Sequence, residues 1–208
     1  MRILRLLPLL LPVFGTWAAD PSLEAALARM DAAAAKFHGL RADVKRVTHT
    51  EVMHLDEVET GKIAVRRPTP KDLRMKTEIQ NPNPRTVWFA GTKSQVYYPK
   101  INTVQEFGLG KASGLKDQLM ALGFGSTSKE LGAAYTMQLG GSDTVGGQPA
   151  TRLVLIPREQ QMRSLFPKVE LWLSDAGIAV QQKLYESGGD YLMATFTNIQ
   201  QADRKSVV

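Results

Sequence analysis

The chain has 208 residues, a formal net charge of +6 and no cysteine. Without cysteine there can be no disulfide framework, so an exported domain of this size must be stabilised by its apolar core. Its basic residues are interspersed with acidic ones and form no basic run or aromatic-interleaved patch, which argues against nucleic acid as a partner. The length favours a single domain.

The first eighteen residues predict an export signal. Arg2 and Arg5 precede an apolar stretch from Leu6 to Phe14, and small residues follow at the positions expected for cleavage after Ala18. The apolar stretch is short for a membrane span of about 20 residues. We expect a cleaved signal peptide over residues 1–18, a periplasmic location and one domain over residues 19–208. The alternative is an uncleaved membrane anchor.

An amphipathic helix of about 17 residues is predicted next. Asp20 and Pro21 are typical of a helix N-terminus, and Gly39 ends the pattern. One apolar stripe follows the helical spacing and consists of Leu23, Leu27, Met30, Ala34 and Phe37.

Strands follow this helix, because the apolar period changes to two. The phase slips near Val47 and puts Met53 and Leu55 on the opposite parity, which predicts a bulge or a bend. Later strands are spaced like an antiparallel meander, interrupted by a short helix from Leu115 to Gly123 and a helical turn from Ser128 to Leu131. The predicted fold class is α+β. A single large curved antiparallel sheet of about ten strands, an incomplete and half-open β-barrel, is covered by the N-terminal helix and one or two short helices.

No pattern of catalytic or metal-binding residues emerges. His49 and His54 are five positions apart on a predicted strand, which places them on opposite faces. The sequence has no Gly-x-Ser-x-Gly motif of an esterase. The run from Gly108 to Ser113 lacks the upstream glycine and the Ser or Thr of a phosphate loop. The sequence therefore predicts no catalytic residue, no metal and no cofactor.

Seven short segments stand in a specific order along the chain. They are Gly61-Lys-Ile-Ala-Val-Arg-Arg-Pro68, Leu73-Arg-Met75, Val87-Trp-Phe-Ala-Gly91, Val96-Tyr-Tyr-Pro99, Val145-Gly-Gly-Gln148, Leu153-Val-Leu-Ile-Pro157 and Glu170-Leu-Trp-Leu-Ser-Asp-Ala-Gly177. Together they resemble the LolA family, the periplasmic carriers of outer-membrane lipoproteins, over nearly the whole predicted domain. The resemblance implies a strongly curved, incomplete barrel with helices as a lid. It also implies transfer of acylated lipoproteins from an inner-membrane ABC transporter to an outer-membrane acceptor.

The resemblance implies two lid residues. Arg67 matches the family's arginine that contacts the lid, and Met30 stands where a leucine shapes the lid. Independently of the family, Arg67 shares a strand face with Ile63 and Val65, so its guanidinium is aimed at the apolar side and must be paired there, for example by helix carbonyls. The alternative is that the strand is already ending at Pro68 and Arg67 turns to solvent.

The apolar residues on the inward parity are predicted to line a cavity for acyl chains. Met120 would add adaptable lid surface, as would Met30, because thioethers conform to irregular ligands. The alternative is that the same side chains form a closed core against the helices. The predicted lining consists of Ile63, Val65, Leu73, Met75, Ile79, Val87, Phe89 and Val96.

The resulting hypothesis is a monomeric, non-enzymatic carrier whose partners are an acylated lipoprotein or lipid, the ABC transporter and the acceptor. Three alternatives stay open. The chain can be a lipid-binding sensor that regulates envelope stress, a carrier of a glycolipid or other non-protein lipid, or, least favoured, an enzyme acting on lipids.

Overall fold

The computed structural model describes residues 22–69, 72–90, 93–108, 119 and 122–202. The predicted signal peptide, Asp20, Pro21, Met120 and most of the predicted helix from Leu115 to Gly123 lie outside these ranges. The described helices are α1 (Leu23–Lys36), α2 (Ser128–Ala134) and α3 (Gln160–Leu165). The strands are β1 (Gly39–Thr50), β2 (Leu55–Thr69), β3 (Asp72–Asn81), β4 (Arg85–Ala90), β5 (Lys93–Tyr98), β6 (Thr103–Gly108), β7 (Tyr135–Val145), β8 (Gln148–Pro157), β9 (Lys168–Ser174), β10 (Ala179–Tyr185) and β11 (Tyr191–Gln201).

All eleven strands belong to one sheet in the order β6-β5-β4-β3-β2-β1-β11-β10-β9-β8-β7. Every neighbouring pair is antiparallel. Because β6 and β7 form the two edges, the sheet is open rather than a closed barrel. The predicted fold class is confirmed, with one strand more than the estimate of about ten. None of the helices in the described ranges is long and apolar enough to cross a membrane.

The change of phase after Val47 marks a hairpin turn; of the predicted bulge or bend, the bulge is wrong. Val47 keeps regular pairing with Val58, and β1 continues to Thr50. The chain then reverses through a 3-10 turn at Glu51–Met53, with His54 in the left-handed region at φ 48°. Met53 thus lies in this turn and Leu55 begins β2, which explains why the two residues left the parity of β1.

The N-terminal helix is shorter than predicted and begins at a different cap. The hydroxyl of Ser22 accepts a hydrogen bond from the backbone N–H of Ala25 at 3.0 Å, so Ser22 is the N-cap and α1 starts at Leu23. Within the helix, Ala26 and Met30 are completely covered by the sheet. The other residues of the predicted stripe, among them Leu23, Leu27 and Phe37, are half-buried and pack against the same core.

The core lies on one face of the sheet, called here the inner face, which packs against α1, α2 and the turn before α2. A single apolar cluster extends from Phe89 on β4, across β1 and β11 at the centre, to Leu153 on β8. Strand alternation explains this arrangement, since every second residue of each strand points to the same face. The inner face is therefore continuous across both halves of the chain.

Candidate functional site

The predicted cavity-lining residues lie together on the inner face of β2 to β5. Seven of the eight are buried, and Leu73 is half-buried at the margin of the same cluster. Directly paired positions arrange them in two rows across the strands. One row is Val65–Met75–Phe89, and the other is Ile63–Thr77–Val87–Val96.

Little empty space remains between these rows and the rest of the core. The cavity next to them has a volume of about 20 Å³. That is room for about one water molecule, far below what an acyl chain needs. In this structure the predicted lining residues therefore pack mainly as core. The walls of the cavity are Val44, Arg46, Ile63, Met75, Thr77, Val87, Ala194 and Phe196.

Residues 122–134, called here the strap, cover part of the inner face. The strap consists of an irregular turn and α2, which follows it directly. Phe124 in the turn is fully buried, and its ring meets the ring of Phe196 edge to face, with centroids 5.0 Å apart. Phe196 is also a wall of the small cavity. The strap therefore reaches the space that the sequence predicted for a ligand.

Arg67 joins β2 to the strap. Its guanidinium donates to the carbonyl oxygen of Gly125 at 2.6 Å and to Oε1 of Glu130 at 2.9 Å. The side chain of Arg67 is 13% exposed and that of Glu130 is 39% exposed, so water reaches the carboxylate side of this ion pair. The sequence predicted that a guanidinium on this face would be paired. In the structure its partners are a backbone carbonyl and a carboxylate. Its role in opening a lid stays a prediction.

Glu130 has a second task at the N-terminus of α2. Its Oε2 accepts from the backbone N–H of Thr127 at 2.9 Å, and the Thr127 hydroxyl accepts from the backbone N–H of Glu130 at 3.1 Å. This reciprocal capping box fixes the position of the carboxylate that Arg67 binds. Glu130 was not among the residues predicted from the sequence. The Thr-x-x-Glu spacing was visible, but not its distance from Arg67.

Met30 is buried on α1, and its neighbours Arg29 and Asp31 hydrogen-bond that helix to other elements. Asp31 accepts from both the backbone N–H and the hydroxyl of Ser128, each at 2.6 Å. Arg29 donates to the hydroxyl of Thr151 on β8 at 3.0 Å. The motif Arg29-Met30-Asp31 thus connects α1 to the strap on one side and to the sheet on the other. From the sequence, only Met30 in this motif was assigned a role.

A second buried side chain holds the strap from the other half of the sheet. Gln182 on β10 is completely buried, and its Nε2 donates to the carbonyl oxygen of Leu122. Its Oε1 has no hydrogen-bond partner among the described residues. Two carbonyls that flank Phe124 are therefore bound by side chains from β10 and β2. Sequence patterns offered no signal for Gln182, which looks like an ordinary polar strand residue.

The histidines that were considered as ligands lie apart from this site. His49 hydrogen-bonds Asp56 at 2.6 Å and Glu51 at 3.0 Å, and its ring stacks on Tyr191. These carboxylates, Asp56 first, raise the pKa of His49 above its usual value. His54 is in the β1–β2 turn rather than on a strand. Within the described ranges, no group of three or more His, Asp or Glu residues is arranged to hold a metal ion.

Known structures are similar to this arrangement of sheet and helices, whereas no family model and no curated protein sequence matches the chain. MucB superposes with a TM-score of 0.54 and 18% identity, over 90% of this chain and 63% of the MucB chain. A conserved uncharacterized protein from Thermus thermophilus superposes with a TM-score of 0.50 and 12% identity, over 86% of this chain and 87% of that protein's chain. The chain has a LolA-like fold.

A third similar structure is the LolA superfamily protein NE2245 from Nitrosomonas europaea. It has 12% identity and a TM-score of 0.41, over 86% of this chain and 93% of that one. Against the MucB structures, the chain spans between 56% and 63% of the length of the chain it matches. The superpositions on MucB and on the Thermus thermophilus protein, at 18% and 12% identity, establish the fold alone.

Proposed function

We propose that the chain is a soluble periplasmic carrier that holds the acyl chains of lipoproteins or lipids between the inner face and a displaced strap. One observation carries the proposal. The apolar inner face is covered by a segment that is fastened through the guanidinium of Arg67 to the Gly125 carbonyl and the Glu130 carboxylate. A hydrogen bond to a charged group contributes about 1.5–3 kcal/mol, much less than the free energy gained by shielding an acyl chain from water, so it suits a contact that opens when cargo binds.

On this proposal, the structure with its small cavity is the closed state of the carrier. A transported acyl chain must be shielded, because exposure to water costs about 0.8 kcal/mol per CH₂, or on the order of 12 kcal/mol for sixteen carbons. The apolar rows on β2 to β5 supply such a surface once the strap moves away. The carrier proposal therefore requires opening, and it fails if the strap stays fixed during ligand uptake.

The partners follow from the same proposal. A carrier needs a donor and an acceptor, and the LolA resemblance names an inner-membrane ABC transporter and an outer-membrane acceptor. The predicted signal peptide would place the chain between these two membranes. Cargo chemistry is left open between acylated protein and other acylated lipids, because the inner face is apolar and selects for the chain rather than the headgroup.

A second candidate function is a LolA-like module that binds a partner protein and regulates an envelope response. Val52 and Met53 at the tip of the β1–β2 hairpin favour it, since their side chains are 89% and 64% exposed. Exposed apolar residues at a hairpin tip are typical of contact sites. MucB, a structural neighbour, has been crystallised in complex with MucA.

A reversible lock on the strap tests the carrier proposal. The chain contains no cysteine, so Asp31→Cys with Ser128→Cys introduces a single pair at a point where the two side chains already meet. Uptake of a fluorescent sixteen-carbon fatty acid should fall when the pair is oxidised and recover when it is reduced. The two single-cysteine variants are the controls, and their uptake should not respond to oxidation. Equal uptake by the locked and reduced forms would exclude a site under the strap.

Native cargo separates the two candidates. The protein purified from an envelope extract is extracted with solvent and analysed by mass spectrometry. Acylated peptide supports a lipoprotein carrier, and phospholipid or glycolipid supports a carrier of other lipids. Recovery of a stoichiometric partner protein without any acyl chain supports the regulatory module instead.

A further inference from the structure

Phe124 is the strap residue that reaches furthest into the core. Its side chain is completely buried, as deeply as residues in the centre of the sheet. It packs edge to face on Phe196, which at the same time forms a wall of the 20 Å³ cavity beside Ile63, Met75 and Val87. The ring thus lies against the same surface that the proposed ligand would use.

Two glycines on either side of Phe124 give the backbone the conformation that points its ring into the core. Gly123 and Gly125 both have positive φ values, 81° and 67°. A Cβ at Gly123 would lie 2.9 Å from the side chain of Leu171, and one at Gly125 would lie 2.5 Å from Phe37. Only glycine combines the left-handed conformation with such close packing. The turn is therefore specialised to insert one aromatic side chain between two tightly packed glycines.

The contacts that hold the turn are polar and lie at its two ends. Gln182 binds the Leu122 carbonyl and Arg67 binds the Gly125 carbonyl. Neither contact depends on the side chain of Phe124. The ring therefore adds apolar packing to a turn whose backbone is already bound. Removing the ring should leave a space in the core while both backbone contacts remain.

We propose that Phe124 occupies part of the acyl-binding site in the closed state and competes with the ligand for it. This inference rests on the proposed carrier function. The ring acts as an internal substitute for a segment of the acyl chain, keeping the inner face dry when no cargo is bound. It thereby sets both the affinity for acyl chains and the length of chain that fits.

The competition has a measurable size. Burying a phenylalanine ring is favourable enough that giving it up weakens ligand binding by roughly ten- to a hundredfold. Cavities of about 150 Å³ made by truncating a large side chain in an apolar core stay dry and bind small apolar molecules. Phe124→Ala should therefore bind acyl chains more tightly than the wild type does, which is opposite to the usual effect of truncating a residue in a binding site.

The experiment compares the wild type, Phe124→Ala and Phe124→Leu with the control Phe166→Ala. Phe166 is also buried, but it comes from the segment after α3, and among the described residues its ring makes no contact with Phe196, the cavity wall that the ring of Phe124 meets. Dissociation constants for a fluorescent sixteen-carbon fatty acid are measured by titration, and folding is checked by circular dichroism. We expect Phe124→Ala to bind at least tenfold more tightly than the wild type, Phe124→Leu to lie between them, and Phe166→Ala to resemble the wild type.

The outcomes separate the two proposals. If the wild type binds but folded Phe124→Ala binds no more tightly than Phe166→Ala, the competition is overturned and the carrier function stands. If Phe124→Ala does not fold, the comparison of Phe124→Leu with the wild type decides in the same way. If neither the wild type nor any variant binds the fatty acid, the carrier proposal fails together with the inference.

Discussion

The guanidinium of Arg67 on β2 donates to the carbonyl oxygen of Gly125 at 2.6 Å, across the boundary between the sheet and the strap. Because the carbonyl belongs to the backbone, the contact is insensitive to the side chains of the strap and depends on one residue of the sheet. The same guanidinium binds Glu130 at the start of α2. A single side chain thus fastens both the turn and the helix.

Replacing Arg67 by leucine should loosen the strap and leave the fold intact. Hydrogen bonds to charged groups contribute about 1.5–3 kcal/mol, so opening of residues 122–131 should become roughly ten- to a hundredfold more frequent. Amide hydrogen exchange measures this directly, and cargo transfer between membranes should change with it. Arg74→Leu is the matched control, since Arg74 makes an exposed pair with Asp72. Exchange and transfer equal to the wild type in Arg67→Leu would show that Arg67 does not hold the strap.

Replacing Asp31 by alanine should separate α1 from the strap. Asp31 accepts two hydrogen bonds from Ser128, the first residue of α2, where a negative charge is also favourable. We expect a loss of about 1–2 kcal/mol in the free energy of unfolding, measured by urea denaturation. Glu24→Gln removes an acidic residue from the exposed first turn of α1 and should cost less than half as much. A smaller effect for Asp31→Ala than for Glu24→Gln would contradict the tether.

Alanine at Gly61 should destabilise the sheet, whereas alanine at Gly132 should not. A Cβ at Gly61 would overlap the backbone carbonyl of Glu78 on β3, and only a backbone shift can relieve that overlap. The expected cost is about 3 kcal/mol. A Cβ at Gly132 in α2 would meet only the Met137 side chain at 3.5 Å, and the better helix propensity should add up to about 1 kcal/mol. Thermal unfolding of both variants measures the contrast, and equal midpoints would refute it.

Protonation of His49 should stabilise the β1–β2 hairpin. The hydrogen bonds to Asp56 and Glu51 raise the pKa of His49, so the folded protein binds the proton more tightly than the unfolded chain. The stabilisation is complete below the unfolded value of about 6.5 and is lost as the pH rises through the raised pKa of the folded state. Unfolding free energies from pH 5 to pH 9 should show this decline in the wild type.

Two variants check the histidine assignment. His49→Gln should remove the decline in stability over that range, because glutamine does not titrate. His54→Gln should keep it, since His54 is exposed in the turn and pairs with neither carboxylate. A decline of the same size in His49→Gln would assign the effect to another group.

Most of the fold was predictable because it depends on local periodicity. Alternation along β3 identified a strand with one apolar face, and the parity of Arg67 relative to Ile63 and Val65 placed its guanidinium on the inner side. The β1–β2 hairpin was predicted only as a bulge or a bend. Its 3-10 turn at Glu51–Met53 contains neither Gly nor Pro, the residues that usually mark a reversal.

The candidate site was less predictable, because its contacts join residues far apart in the sequence. Arg67 meets Gly125 across 58 positions, and Asp31 meets Ser128 across 97. Period and spacing describe neighbours along one element and say nothing about such pairs. The open cavity expected on the inner face is small in the structure. Phe124 is buried against Phe196 beside this cavity, and this too is a long-range contact that period and spacing do not predict.

The pairing of β1 with β11 in the middle of the sheet has a consequence for folding kinetics. Strands β1 to β6 and β7 to β11 each form a meander of consecutive neighbours, and β1–β11 is the pairing that joins the two. Local hairpins form quickly, whereas bringing together strands from opposite ends of the domain carries a large entropy of loop closure. We therefore expect assembly of the two halves at this seam to be the slow step in folding, and we expect the halves to unfold as one cooperative unit.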